Sequence, residues 1–228
     1  MKRLALLAST LLLCSCQTAV EPPVNKDFTA RAAADIDRYR VADNSAYGYE
    51  PEGRFDPSAR PVQGTFADGA WKVYQVTDTK AGFDRVEVTV DDEGTILRLR
   101  FIKPTFSSVA RRDTINSVYE ELRHKYKVME RIGDNDTAEL TVYVANDDAD
   151  WIQHRVQYLQ LMDEPNHLGA QDCWILQPHL SLVQVTIKRQ EGAGALIVVD
   201  YQTKKYAAGM AVRAAEKVSH RKPSSPGY

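Results

Sequence analysis

No run of 18 or more apolar residues occurs in this 228-residue chain, so the sequence predicts no membrane-spanning helix. Neither charge dominates, because 29 Lys and Arg residues stand against 31 Asp and Glu residues and the sequence pI is about 6.2. A dedicated nucleic-acid-binding protein is usually basic, so that class is excluded. Glycine (12) and proline (10) are too few for a fibrous chain.

What the chain does contain is enough apolar surface for a core. Hydrophobic residues make up 43% and aromatic residues 9% of the sequence, which excludes global disorder. The length accommodates one ordinary domain with additional segments, or two small domains.

The first residues have the pattern of a secretory signal. Lys2 and Arg3 precede ten largely apolar residues, 4–13. As a helix this run would be about 15 Å long, about half the hydrocarbon thickness of a bilayer. Residues 1–15 are therefore predicted to be a signal peptide rather than a membrane anchor.

The end of this segment, Leu13-Cys14-Ser15-Cys16, resembles the lipobox of bacterial lipoproteins. Leu13 occupies position −3 and Ser15 position −1, while Cys14 occupies position −2, where a small or apolar residue is commoner. The resemblance implies lipidation of the Cys16 sulfur, cleavage before Cys16 and acylation of the new amine. Several acyl chains on one residue give stable membrane anchoring. The alternative is an ordinary secretory signal in which Cys16 is incidental.

The residue that follows the lipidated cysteine bears on location. Gln17 stands there rather than aspartate. In a Gram-negative host this resembles the outer-membrane sorting pattern, so the predicted location is the cell envelope, at the outer membrane and facing the periplasm. Cys173 is then the single remaining thiol, so no internal disulfide framework is expected.

Residues 16–65 are predicted to be a lipidated N-terminus and an extended tether. Apolar residues are sparse, and half of the ten prolines lie here: Pro22, Pro23, Pro51, Pro57 and Pro61. Within the tether a short helix over residues 28–42 is predicted, with Asp27 as its N-cap. The alternative is an arm whose aromatic residues Tyr47, Tyr49 and Phe55 pack on the domain.

Residues 66–220 are predicted to form an α+β domain with a mostly antiparallel sheet and helices packed on one face, followed by a flexible tail at 221–228. Alternating apolar residues or an apolar helical stripe indicate the elements. The predicted strands are 71–76, 84–90, 95–103, 139–145, 181–188 and 195–201, the predicted helices begin near Ser107 and at 207, and 150–162 is either helix or strand. Residues 86–101 and 183–200 repeat a hairpin pattern, by duplication or by chance.

Candidate chemistry is sparse. The Asp-Cys pair at Cys173 faintly resembles papain-like cell-wall peptidases, whose histidine lies well downstream of the cysteine. Here His179 is only six residues on and His220 lies in the terminal tail. A lone cysteine beside apolar residues is more often an inert core residue. A cysteine-dependent cell-wall hydrolase or acyl transferase using Cys173 is therefore kept only as the alternative function, and no catalytic residue is predicted.

No metal site, cofactor or nucleic-acid partner is predicted either. His154, His167, Asp172, Cys173 and His179 have no metal-binding spacing, and the acidic stretches 134–136 and 147–150 lack the calcium-loop pattern. A basic helical stripe of Arg123, Lys127 and Arg131 either meets anionic lipid or glycan phosphate or is a solvated face.

These observations favour a non-enzymatic, lipid-anchored envelope protein. It would hold to the membrane through the lipid on Cys16 and act as a binding or assembly factor for another envelope component, a protein or the cell wall. A protein partner would add a strand at an exposed sheet edge or use the sheet face that no helix covers.

Overall fold

The computed structural model describes residues 27–77, 82–126, 140–163, 173–190 and 194–219. In these residues the strands are β1 (Val62–Asp68), β2 (Trp71–Val76), β3 (Arg85–Val90), β4 (Ile96–Thr105), β5 (Leu140–Ala145), β6 (Cys173–Leu176), β7 (Leu180–Arg189) and β8 (Ala195–Thr203). The α-helices are α1 (Phe28–Asp35), α2 (Ser108–Tyr126), α3 (Asp148–Met162) and α4 (Lys204–Ser219), and short 3₁₀ turns occupy Ile36–Tyr39 and Pro57–Ala59.

All eight strands belong to one sheet, in the order β1-β2-β3-β4-β8-β7-β5-β6. Neighbouring strands are antiparallel except β5 and β6, which run parallel and are connected through α3. The predicted α+β fold with a mostly antiparallel sheet is confirmed. In the described part of the chain, β1 forms one edge of this sheet and β6 the other.

Local sequence signals account for several boundaries. Asp27 caps α1, since its carboxylate accepts a hydrogen bond from the Ala30 amide at 2.9 Å, as the sequence predicted. The Ser107 hydroxyl accepts one from the Ala110 amide at the start of α2. The ambiguous segment at 150–162 is helical, and Asp147 is its N-cap. The acidic stretch at 147–150 thus starts a helix.

The main core lies on one face of the sheet, beneath α2. Alternating side chains of β3, β4, β7 and β8 face Ile115, Val118 and Leu122, the apolar stripe that the sequence predicted on α2. Phe101 of β4 is fully buried at the centre of this layer. Its ring centroid lies 4.7 Å from that of Tyr47 and 5.4 Å from that of Phe83.

Residues 28–65 pack on the domain, where the sequence predicted a tether. The backbone N–H of Val41 donates to the carbonyl of Leu176 at 2.8 Å, which extends the sheet beyond β6. Tyr49 and Phe55 are 3% and 7% exposed and belong to the main core. The physical reason is that aromatic rings left in water forfeit the free energy of burial. The rest of the predicted tether, residues 16–26, lies outside the described residues.

The two long helices after the hairpins occupy different faces of the sheet, whereas the sequence predicted helices packed on one face. α2 covers the face lined by Val86 and Val88, whereas α4 contacts Trp71 and Arg98, which alternate onto the opposite face. The repeated hairpin pattern therefore does not place its two helices equivalently, and this arrangement favours chance over duplication.

Buried tyrosines beneath α2 give the fold a predictable response to alkali. Burial raises the pKa of Tyr47, Tyr126 and Tyr201 far above the usual value, because it penalises the phenolate. A raised pKa of an acid contributes stability that is complete below the unfolded-state pKa of about 10 and is lost as pH rises above it. We expect these three of the eleven tyrosines to ionise only as the protein unfolds. Absorbance at 295 nm and circular dichroism, recorded together from pH 9 to 13, measure this; ionisation of all eleven tyrosines with the fold intact would contradict it.

Candidate functional site

The hairpin of β1 and β2 turns through two residues, Gly69 and Ala70, which lie between the paired residues Asp68 and Trp71. Gly69 has a φ of +65°, a conformation that suits glycine at the first position of such a turn. A Cβ atom at Gly69 would also lie only 2.6 Å from the Arg213 guanidinium. The backbone conformation therefore favours glycine here, and a larger residue would also displace the Arg213 guanidinium.

Helix α4 packs against the ring of Trp71. Its ring centroid lies 4.7 Å from that of Tyr206, and the Arg213 guanidinium carbon lies 3.7 Å above the Trp71 ring. Between these two contacts is Gly209, where a Cβ atom would come within 2.5 Å of Trp71. Residues 206, 209 and 213 share one face of the helix, so one face of α4 packs against Trp71.

Arg213 also ties α4 to the turn. Its guanidinium donates to the Asp68 carbonyl at 2.7 Å and lies 3.6 Å from the Asp68 carboxylate. A groove of about 890 Å³ runs between the turn and the outer part of α4, and its lining includes Ala70, Val212, Glu216 and Lys217. Arg213, with its contacts to Asp68 and Trp71, also lines this groove.

Beneath α4, a buried ion pair supports the same surface. The Arg98 guanidinium donates to both carboxylate oxygens of Asp200, at 2.8 Å for the Nε bond, and to the Tyr206 hydroxyl at 2.8 Å. Burial opposes the charge on Arg98, but the hydrogen bonds and charge of Asp200 outweigh it and raise the pKa of Arg98. Through its hydrogen bond from Arg98, the pair also positions Tyr206 under α4.

A second ion pair lies farther along the same sheet face. Arg100 donates to the Glu87 carboxylate at 2.7 Å, and Glu87 is 7% exposed. The two pairs link β4 to its neighbours β8 and β3 on this face.

The outer edge of β1 borders this surface. Within the described ranges no strand pairs with β1 on the side away from β2. Phe66 of β1 is 46% exposed, on the same sheet face as Val73, its partner in β2. Edge strands usually carry features that discourage pairing, so an uncovered edge beside an exposed aromatic ring marks a place where another chain can add.

Three stacked rings lie near the opposite edge. The His154 ring of α3 stacks on Trp174 at a centroid distance of 3.4 Å, and the ring of Tyr143 lies 4.9 Å from that of Trp174. His154 also sits 3.2 Å from the Asp150 carboxylate. This stack joins α3 to β5 and β6 and explains the position of one histidine that the sequence singled out.

Two of the histidines that the sequence singled out contact other side chains. His179 follows the end of β6, and its Nδ1 atom lies 2.8 Å from the Glu52 carboxylate. His154 contacts Trp174 and Asp150. Cys173 begins β6, and its side chain lies outside what the structure describes.

The other predicted residues are dispersed. No group of three or more His, Cys, Asp or Glu side chains suited to a metal ion occurs in the part of the chain that is described. Arg123 of the basic stripe is exposed on α2, with Glu120 3.9 Å away. Cys16, Lys127, Arg131, the acidic stretch 134–136, His167, Asp172, His220 and the tail 221–228 lie outside the described residues.

Sequence reasoning missed Trp71 and Arg213 as partners. One signal was present, the spacing of Tyr206, Gly209 and Arg213 on the predicted terminal helix, but nothing in it indicated that the stripe would meet Trp71. That contact joins two elements far apart in the chain.

Comparison with known proteins gave no match to a family model, to a curated protein or to a solved structure. Within the described ranges, no helix combines the length and the apolar character needed to cross a membrane.

Proposed function

We propose that this protein is a lipid-anchored component of the bacterial cell envelope that binds another protein and catalyses no reaction. The sequence Leu13-Cys14-Ser15-Cys16 supports the anchor, and Gln17 supports an outer-membrane location facing the periplasm. Cys16 carries the lipid, so the membrane is one partner and an envelope protein is the other. The domain acts as a binding or assembly factor.

The path of the chain limits how far the domain can lie from its anchor. The first described helix, α1, packs on α3, where the Arg155 guanidinium donates to the Asp35 carboxylate at 2.7 Å. Residues 40 and 41 then contact the end of β6 at Leu176. The chain between Cys16 and Asp27 spans at most about 40 Å even when fully extended. An anchor on Cys16 therefore keeps the start of α1 within about 40 Å of the bilayer.

The outer edge of β1, with which no other described strand pairs, is the observation that carries the proposal. β1 and β6 are the first and last strands of the eight-stranded order, seven spacings apart. At about 4.8 Å per spacing, β1 lies about 34 Å from β6. The free edge is thus on the far side of the domain from its attachment, where an extended segment of a partner protein can add as a further strand.

The anchor is tested by fractionating cells that express Cys16→Ser. We expect the variant to leave the membrane fraction, because its side chain presents no sulfur for the lipid. Cys14→Ser is the matched control, since it changes the neighbouring cysteine and keeps Cys16, and it should remain in the membrane fraction. Retention of Cys16→Ser in membranes, at the level of the control, would contradict the anchor.

The binding surface is tested by photo-crosslinking in intact cells. A photoreactive residue in place of Thr65, on the free edge, should capture a protein. The same residue in place of Arg123, which is exposed on α2, is the control and should capture none. Equal capture at both positions, or no capture at Thr65, would contradict a binding role for this edge.

A further inference from the structure

The two edges of the sheet differ in their backbone contacts and in their residues. At the β6 edge, Arg40 forms a bridge with Leu176, and the Val41 amide donates to the Leu176 carbonyl. On the β1 edge, residues 64–67 include no lysine, no proline and no charge, the devices that usually discourage edge-to-edge pairing. The one irregularity, a bulge between Val62 and Gly64, lies at the start of the strand.

The backbone of β1 is suited to pairing with itself. Asp68 and Trp71 pair across the two-residue turn, and hydrogen-bonded and non-hydrogen-bonded pairs alternate from there along the hairpin. Gly64 and Phe66 consequently direct their backbone groups to β2, and Thr65 and Ala67 direct theirs outward. A two-fold axis beside Thr65 then places Thr65 opposite Thr65 of a second chain, with donors facing acceptors.

The side chains of β1 complement each other in that register. Gly64 lies opposite Phe66 of the second chain, on the sheet face where Phe66 is 46% exposed. A Cβ atom at Gly64 would meet only the Gln75 amide oxygen, at 3.6 Å, so the space above the glycine can receive a ring. Each Phe66 would cover the partner glycine, an arrangement that protects glycine in sheets.

Charge does not oppose this pairing. The single charged residue of β1 is Asp68, at its end. In the two-fold register the two Asp68 residues are six positions apart, about 20 Å, so like charges do not face each other. The formal net charge of the whole chain is only −2.

We infer that the protein completing the β1 edge is a second copy of this chain, which pairs antiparallel about Thr65 and joins two sheets into one. This inference rests on the proposed use of the β1 edge for binding and names the partner. The unit that meets any other envelope component is then a dimer with a groove beside each α4.

Oxidative crosslinking of the full-length protein in membranes tests the register. In a Cys173→Ser background, Thr65→Cys places two thiols directly opposite each other, at a Cβ separation of about 5 Å. After copper-phenanthroline oxidation we expect a reducible dimer on a gel. Arg123→Cys in the same background is the exposed control and should stay monomeric. A dimer yield for Thr65→Cys no higher than for the control would overturn the inference.

A blocking substitution distinguishes this inference from the proposed function. Ala67→Lys, added to Thr65→Cys, places a charge at a second exposed position of the same edge and is expected to abolish the reducible dimer, with an unchanged circular dichroism spectrum. If the photoreactive residue at Thr65 captures a different protein, the self-pairing is wrong and the binding function stands. If it captures nothing, both are wrong.

Discussion

Replacing Phe101 with alanine is expected to lower the free energy of unfolding by about 3–5 kcal/mol. The Phe101 side chain is fully buried in β4. Besides Tyr47 and Phe83, its ring contacts Tyr49 and Tyr201, at centroid distances of 5.8 Å and 5.9 Å. Two of these four rings, those of Tyr47 and Tyr49, lie in the segment before β1 that packs on the domain. The substitution therefore leaves a cavity and also weakens the packing of that segment.

The measurement is urea denaturation of purified proteins, with Cys16→Ser present in every sample so that none requires detergent. Phe106→Ala is the control, because the same side chain is 80% exposed just beyond β4. It should change the free energy of unfolding by no more than about 0.5 kcal/mol. Equal losses for the two substitutions would show that Phe101 is not the centre of the core.

The elements that sequence alone predicted are those fixed by local periodicity. The strands around residues 84–103 alternate apolar and polar side chains, and the structure has β3 and β4 there. Ile115, Val118 and Leu122 form the buried stripe of α2 as their spacing predicted. In both cases one face of the element meets the core, so the pattern is present in neighbouring residues.

The sequence left two interpretations of residues 16–65 open, a tether and an arm whose aromatic residues pack on the domain, because the contacts that decide between them are not local. Prolines and turns at residues 47–57 indicate irregular backbone, which favours a tether, whereas the aromatic residues favour an arm. What orders it is distant in sequence: Gln177 donates to the Asn44 amide oxygen at 2.8 Å, and Asn44 donates to the Pro51 carbonyl. A sequence pattern carries no information about a loop that is held by side chains from the far end of the sheet.

The candidate site likewise depends on contacts that a local sequence pattern does not reveal. Alternation on β4 and β8 places Arg98 and Asp200 on the face opposite the core, which a sequence pattern marks only as polar. Their pairing follows from the adjacency of β4 and β8 in the sheet, with Arg98 in register with Gln202. The burial of that ion pair depends on α4, which crosses above it. Neither the adjacency of the two strands nor the position of α4 is encoded in a short stretch of sequence.

Breaking that ion pair is the second large expected effect. Asp200→Ala leaves the Arg98 guanidinium without its carboxylate in a site where Asp200 is 6% exposed and the Arg98 side chain 22% exposed. We expect a loss of about 3 kcal/mol in the free energy of unfolding, since removal of one partner from a buried pair leaves an uncompensated charge. The Tyr206 contact should weaken as well, because Arg98 positions its hydroxyl.

The matched control is Asp148→Ala, which breaks the Arg40 pair at 3.1 Å, where both side chains are about half exposed. Exposed pairs contribute about 0–1 kcal/mol, so this variant should unfold close to the parent in the same urea titration. The double variant Arg98→Met with Asp200→Leu removes both charges and should recover much of the lost stability. If the double variant is as unstable as Asp200→Ala, the loss arises from packing beneath α4 and not from the stranded guanidinium.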